Sequence, residues 1–152
     1  MRDSAMPKKS FLPIVRELVR CYQAFESHSA RHIRSMGLTP PQFDIVATLG
    51  NTEGMSFKEL GEKTLITKGT LTGVVDRLEA KQLVSRSASP TDGRSQIVRL
   101  TGKGEELFSD VFPNHINHVG RAFMNYSATD LKQAEASLRQ LRAALEGIQE
   151  SS

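Results

Sequence analysis

The stretch Ser89-Pro90-Thr91-Asp92-Gly93-Arg94-Ser95 lies between two short strand-like runs, Leu83-Val84-Ser85-Arg86-Ser87 and Gln96-Ile97-Val98-Arg99-Leu100-Thr101. Pro90 and the Asp92-Gly93 pair are strong turn formers, so the whole segment reads as a β-hairpin with arginines at its tip and along its strands. An arginine exposed on a long turn adds little to folding, and its charge points to an anionic partner. Directly upstream is a compact helical region whose last helix ends near Lys81. Helix-turn-helix followed by a basic hairpin is the layout of a winged DNA-binding module. The fold class expected is therefore mainly α with a small β-wing, a winged helix-turn-helix flanked by long helices.

The flanking sequence supplies those helices. Phe11, Val15, Leu18, Tyr22 and Phe25 recur four and three apart, giving one apolar stripe on a helix from about Phe11 to Ser35, closed by Met36-Gly37-Leu38. Thr39 then caps a second helix, with Pro40 at its first position and Gln42 as capping-box partner; Phe43, Ile45, Val46 and Leu49 form its core face. Ser56-Phe57-Lys58-Glu59 is a second capping box opening a short helix through Leu60 to Lys63. Thr67 caps a helix to about Lys81 whose inward face is Leu71, Val74, Val75 and Leu78. After the hairpin, Thr101 caps a long helix through Leu107, Phe108 and Val111 towards Phe123, with a kink expected at Pro113, which removes one backbone hydrogen bond. Ser127 caps a last helix in which Leu131, Ala134, Leu138, Leu141, Leu145 and Ile148 make a narrow apolar seam. Such a seam on a terminal helix suits packing against a second copy of the chain.

Composition narrows the function classes. The net charge of +3 is mild for 152 residues, but its distribution is not even. From Lys81 to Lys103 the chain carries Lys81, Arg86, Arg94, Arg99 and Lys103 against a single acid, Asp92. A local basic strip beside a hairpin is the footprint of phosphate contact. The single cysteine, Cys21, excludes an internal disulfide and a thiolate zinc cluster. The polar start of the chain lacks the apolar core of a signal peptide, and no apolar run approaches transmembrane length, so a cytoplasmic protein without membrane partners is expected. No metal-protease helix, phosphate-binding glycine loop or Ser/His/Asp set is present, which argues against an enzyme, and no cofactor is implied.

Taken as a set, Gly37-Leu38-Thr39-Pro40-Pro41-Gln42-Phe43, Leu60-Gly61-Glu62, Val75-Asp76-Arg77-Leu78-Glu79 and Asp92-Gly93-Arg94 with Leu100-Thr101 resemble the multiple-antibiotic-resistance-regulator (MarR) family of winged-helix transcription factors. The resemblance covers about residues 11–150. It implies a tail over 1–10, a first dimerisation helix over 11–36, a winged helix-turn-helix over 38–100, and dimerisation helices over 101–150. It also implies a homodimer on a pseudo-palindromic operator in double-stranded DNA, acting mostly as a repressor and responding to a small anionic or phenolic ligand. The competing expectation is an effector-free winged-helix protein with an architectural or protein-binding role.

For the DNA contacts, a recognition helix offers its exposed N-terminal side chains to base edges in the major groove. Those are Thr67, Lys68, Thr70 and Thr72, with Gly69 and Gly73 allowing close approach. Lys68 suits guanine or phosphate and the threonines suit thymine methyls or purine edges. Arg77 lies further along, where phosphate is the expected partner. Arg94 at the hairpin tip is placed to enter the minor groove, and Asp92 to orient its guanidinium by a salt bridge; the resemblance assigns the same pair of roles. Arg86 and Arg99 on the hairpin strands are expected on phosphates.

Sensor candidates are fewer. Cys21 reads as a buried structural cysteine. His28 and His32 are spaced i,i+4, and His115 and His118 i,i+3, so each pair shares a helix face. Metal-sensing relatives use ligands that this chain lacks: Val111 stands where one is wanted, so solvated or core-edge histidines and no metal are expected. The resemblance places a ligand pocket near the start of the second helix, where Tyr22, His28, His32, Phe43 and Asp44 could line a site for an aromatic effector. Asp44 alternatively pairs with Arg16, Arg31 or Arg34.

Overall fold

The computed structural model describes residues 10–149, so most of the expected N-terminal tail lies outside the described residues. The elements are α1 (Leu12–Ser35), α2 (Pro40–Leu49), β1 (Met55–Ser56), α3 (Phe57–Thr64), α4 (Lys68–Ala80), β2 (Val84–Ala88), β3 (Gln96–Leu100), α5 (Gly102–Gly120), a 3-10 turn (Arg121–Phe123) and α6 (Ala128–Gln149). This is the mainly helical winged helix-turn-helix read from the hairpin. The chain forms two compact units, one through His118 and one from Val119.

In the first unit, local chemistry sets the boundaries. Gly37, at φ 83°, ends α1 in the left-handed conformation that a side chain would resist. The Thr39–Gln42 capping box forms in full: the Gln42 N–H donates to Thr39 Oγ1 at 3.3 Å and the Thr39 N–H to Gln42 Oε1 at 3.0 Å. The Ser56 box forms by half, since Ser56 Oγ accepts from the Glu59 N–H but donates to the Glu59 carboxylate itself. Thr101 Oγ1 caps α5 through the Gly104 N–H at 3.1 Å and donates to Gln82 O at 2.6 Å, joining the start of α5 to the base of the wing.

Two features depart from the sequence reading. Met55-Ser56 is a strand: it adds to the hairpin in the order β1-β3-β2, with Met55 opposite Val98 and Ser56 opposite Ile97. Gly54, at φ 108°, makes this approach feasible, because a Cβ there would lie 2.8 Å from Val98 O. The second departure is that α5 continues through Pro113 but stops at Gly120, and a 3-10 turn follows over Arg121–Phe123.

The main core joins α2, α3, α4, the sheet and α5 through residues such as Ile45, Leu49, Leu60, Leu71, Leu78 and Val98, all essentially inaccessible. Every residue assigned to the inward faces of α2 and α4 is buried. Removing a side chain of this size from water contributes about 1.5–3 kcal/mol. A second cluster, Ile33, Leu38, Phe43 and Val111, ties α1 to α2 and α5. In the second unit, Ser127 and Asp130 cap α6 reciprocally, the Ser127 N–H donating to the Asp130 carboxylate and the Asp130 N–H to Ser127 Oγ; hydrogen bonding from the Ser127 backbone, and then from its side chain, holds the Asp130 carboxyl below its usual pKa. Among the described residues no helix is long and apolar enough to cross a membrane.

Candidate nucleic-acid interface

The wing turn is a network of short polar contacts. The Ser89 N–H donates to Ser95 O at 2.9 Å and the Ser95 N–H to Asp92 O at 3.0 Å, while the Ser89 hydroxyl accepts from the Asp92 N–H at 3.3 Å. The Asp92 carboxylate accepts from the Arg94 backbone N–H at 3.1 Å. It therefore shapes the turn rather than gripping the guanidinium, and no ion pair between the two forms among the described residues. The expected salt bridge is corrected to a backbone contact. Asp92 and Arg94 are both exposed, and among the described residues the Arg94 guanidinium pairs with no carboxylate.

Arg94 also lines a groove of about 440 Å³ between the wing and the start of α3, together with Gly93, Ser95, Phe57 and Lys58. Lys58 was missed from the sequence. Its neighbourhood to the wing arises from the pairing of β1 with β3, and nothing local to residues 56–60 signals that pairing.

At the head of α4, Thr67, Lys68, Gly69, Thr70 and Thr72 are exposed, as is Arg77 one to two turns on. Gly69 and Gly73 have no heavy atom within 4 Å of an added Cβ, so the surface above them is open. Thr67 stands at the N-cap in extended backbone but makes no side-chain cap; its hydroxyl donates to Thr70 Oγ1 at 3.2 Å. Leu65, which ends α3, sits at φ 60° and is 88% exposed, leaving an apolar side chain in the turn between the two helices.

The hairpin arginines divide. Arg99 is exposed and lends one N–H to Ser87 Oγ at 3.4 Å across the strands. Arg86 is tied to carboxylates. Its guanidinium pairs with Asp76, bonds Glu79 at 3.3 Å through Nε, lies 5.7 Å from the centre of the Phe57 ring, and leaves its side chain only 20% exposed. The hydrogen bond to Asp76 is the main reason its pKa rises. Arg86 thus fastens β2 to the C-terminal half of α4 and to α3, a structural task in place of the solvated phosphate contact expected from the sequence.

The candidate ligand residues are only partly gathered. His28, His32 and Phe43 pack ring to ring with His115 and His118. Tyr22, 61% exposed, makes no ring contact with that group among the described residues. Asp44 is exposed, forms none of the anticipated arginine pairs among the described residues, and has its pKa raised by partial desolvation. Cys21, expected to be buried, is exposed on α1. His115, expected to be solvated or at a core edge, is buried.

Comparison with known proteins agrees with this geometry. The sequence model of the MarR family matches residues 38–96. The chain is 32% identical over 124 residues to the HTH-type transcriptional regulator MhqR of Bacillus subtilis (strain 168), covering 82% of this chain and 86% of that protein. The crystal structure of AbsC, a MarR family transcriptional regulator from Streptomyces coelicolor, is similar with a TM-score of 0.80 at 25% identity, covering 90% of this chain and 94% of that one. BpsR of Bordetella bronchiseptica follows with a TM-score of 0.75 at 26% identity, covering 85% and 92%. The chain belongs to the MarR family, whose members are DNA-binding transcriptional regulators and not enzymes.

Proposed function

We propose that the chain represses transcription as a homodimer gripping a pseudo-palindromic operator, with the head of α4 in the major groove and the wing in the adjacent minor groove. The observation that carries this reading is the contrast between Arg94, free of carboxylates at the tip of a tied turn, and Arg86, fully engaged in ion pairs. A guanidinium left solvated on a fixed turn suits the negative potential of a narrow minor groove. Thr67, Lys68, Gly69, Thr70 and Thr72 are assigned to base edges and nearby phosphates, and Arg77, Arg99 and Lys58 to phosphates. Dimerisation is supported by the exposed apolar residues Ile14, Val15, Val19, Tyr22 and Phe25 on α1 with Phe11 at its N-cap, and by Leu131, Leu138, Leu145 and Ile148 on α6. The place of action is the cytoplasm, beside the DNA.

An effector of small aromatic-acid type is part of this reading. BpsR, the similar protein from Bordetella bronchiseptica, has its DNA binding regulated by 6-hydroxynicotinic acid. The effector-free alternative is favoured by one observation: Phe43 is buried with its ring against His115, and His28 and His32 are stacked on His118. Selection of bound duplexes from a random-sequence pool tests the function. An enriched inverted repeat with half-sites about one helical turn apart is expected, and no enrichment over input would contradict it. A panel of aromatic acids applied to the selected duplex separates the two readings, since only the first predicts a change in affinity.

A further inference from the structure

All four histidines of the chain meet in one place. His28 and His32 on α1 face His115 and His118 on α5, with ring centres 4.4 Å apart for His28–His118, 4.0 Å for His32–His118 and 5.2 Å for His32–His115. The planes lie within 21° of parallel. Phe43 of α2 closes the group, its ring meeting His115 edge-on at 4.6 Å. His115 is 5% exposed, and both of its nitrogens are engaged: Nδ1 lies 3.0 Å from His32 Nδ1, and Nε2 lies 3.1 Å from Ser29 Oγ.

We propose that these four histidines form an acid-sensitive latch, closing α1, α5 and α2 together while neutral and loosening that junction when protonated. The His32–His115 contact carries the inference. Two Nδ1 atoms at hydrogen-bond distance require one N–H and one lone pair. A second proton on the acceptor ring places two N–H groups head to head and destroys the bond. Parallel stacking of imidazoles is likewise compatible with neutral rings and opposed by like charge. The groups facing His115 are His32, with His28 a turn before it on α1, His118 on its own helix, and the uncharged Phe43 on α2, where Asp44 is next in sequence and exposed. Burial first, and then the charges of the other three imidazoles, hold the pKa of His115 below the ordinary value. Parallel rings do not converge their lone pairs on one point, and among the described residues no three ligating groups are arranged for a metal ion.

The latch connects to function because α2 is the first helix of the winged module, and that consequence rests on the DNA-binding reading above. Its sign is distinctive. Added positive charge by itself strengthens attraction to DNA, whereas a loosened junction weakens it.

The test uses the full chain at constant ionic strength, comparing affinity for the selected duplex at about pH 7.5 and about pH 5.5. In the natural protein a loss of about tenfold or more is expected, the scale set by one proton over one pH unit. His32→Asn keeps a hydrogen-bonding group at the Nδ1 position and takes up no proton, and its loss between the two pH values should shrink to less than about threefold. The double variant His28→Gln, His118→Gln, which leaves the His32–His115 bond in place, should show a smaller loss than the natural protein and serves if His32→Asn does not fold. Affinity that is unchanged or rises on acidification, or an equal loss in every folded variant, would overturn the proposal. So would tight binding of Zn²⁺ at neutral pH that is lost with His32→Asn. Should no duplex be recovered, the DNA-binding reading fails separately. The latch is then judged by imidazole NMR titration and melting temperature: His115 titrating like a free imidazole, with no fall in melting temperature on acidification, overturns it.

Discussion

Arg86 and Arg94 look alike in the sequence, each an arginine in a polar stretch of the same hairpin, yet the fold gives them opposite tasks. The partners of Arg86, Asp76 and Glu79, lie ten and seven residues earlier, across the turn that joins α4 to β2. No spacing rule for a single helix or strand connects them. Arg94 was legible because its setting is local: the one carboxylate of a turn written by Ser89, Pro90 and Asp92 is spent on the Arg94 backbone N–H, not on its guanidinium. Arg94→Ala should weaken operator binding by about 1–3 kcal/mol and leave the melting temperature unchanged. Asp92→Ala should cost less in binding, acting through the backbone bond to residue 94. For Arg86→Ala the pattern reverses, with stability falling by about 1–2 kcal/mol through its ion pairs and ring contact, as read by chemical denaturation. Equal effects of Arg86→Ala and Arg94→Ala on stability would undo this division of labour.

Helices announced themselves where their ends are local. Thr39 with Gln42, Thr101 and Ser127 with Asp130 all cap as their positions require. The two-residue β1 did not, because a strand that short exists only through its register with β3, some forty residues away. Helix contacts were equally hidden: the close approach of Gly104 to the wing puts an added Cβ 2.1 Å from Leu83 O. Gly104→Ala should therefore destabilise the protein by about 1–3 kcal/mol, whereas Gly69→Ala, on an open surface, should keep or slightly raise helix stability while reducing DNA affinity. A melting scan and a duplex titration on both variants check this pair. The sequence shows the histidines as two same-face pairs, but their meeting depends on the packing of α5 against α1, at a sequence separation of 83 between His32 and His115. Because the folded pKa of His115 is depressed, the unfolded chain takes up its proton first, near the ordinary value of 6.5. Stability then falls as pH drops below that value and levels off once the folded form is also protonated. A melting temperature constant across this window would contradict the assignment.

For the whole molecule, the decisive feature is apolar surface on α1 and α6 that the single chain leaves exposed, with Leu138 at 58%. Soluble monomers seldom carry such stripes without a partner for them, and the proposed partner is a second copy. The stripes themselves were legible as three-four repeats; what the sequence withheld is their exposure, since the same repeats would serve an ordinary core. Substituting Glu for Leu138 should abolish dimers in light scattering and, with them, operator binding, because one half-site alone is held weakly. The proposed dimer on its operator is settled by sedimentation of the protein bound to the selected duplex. Two chains of 16.8 kDa per duplex are predicted, with no complex of intermediate mass at saturation, and a saturated complex holding one chain would contradict the dimeric grip on DNA.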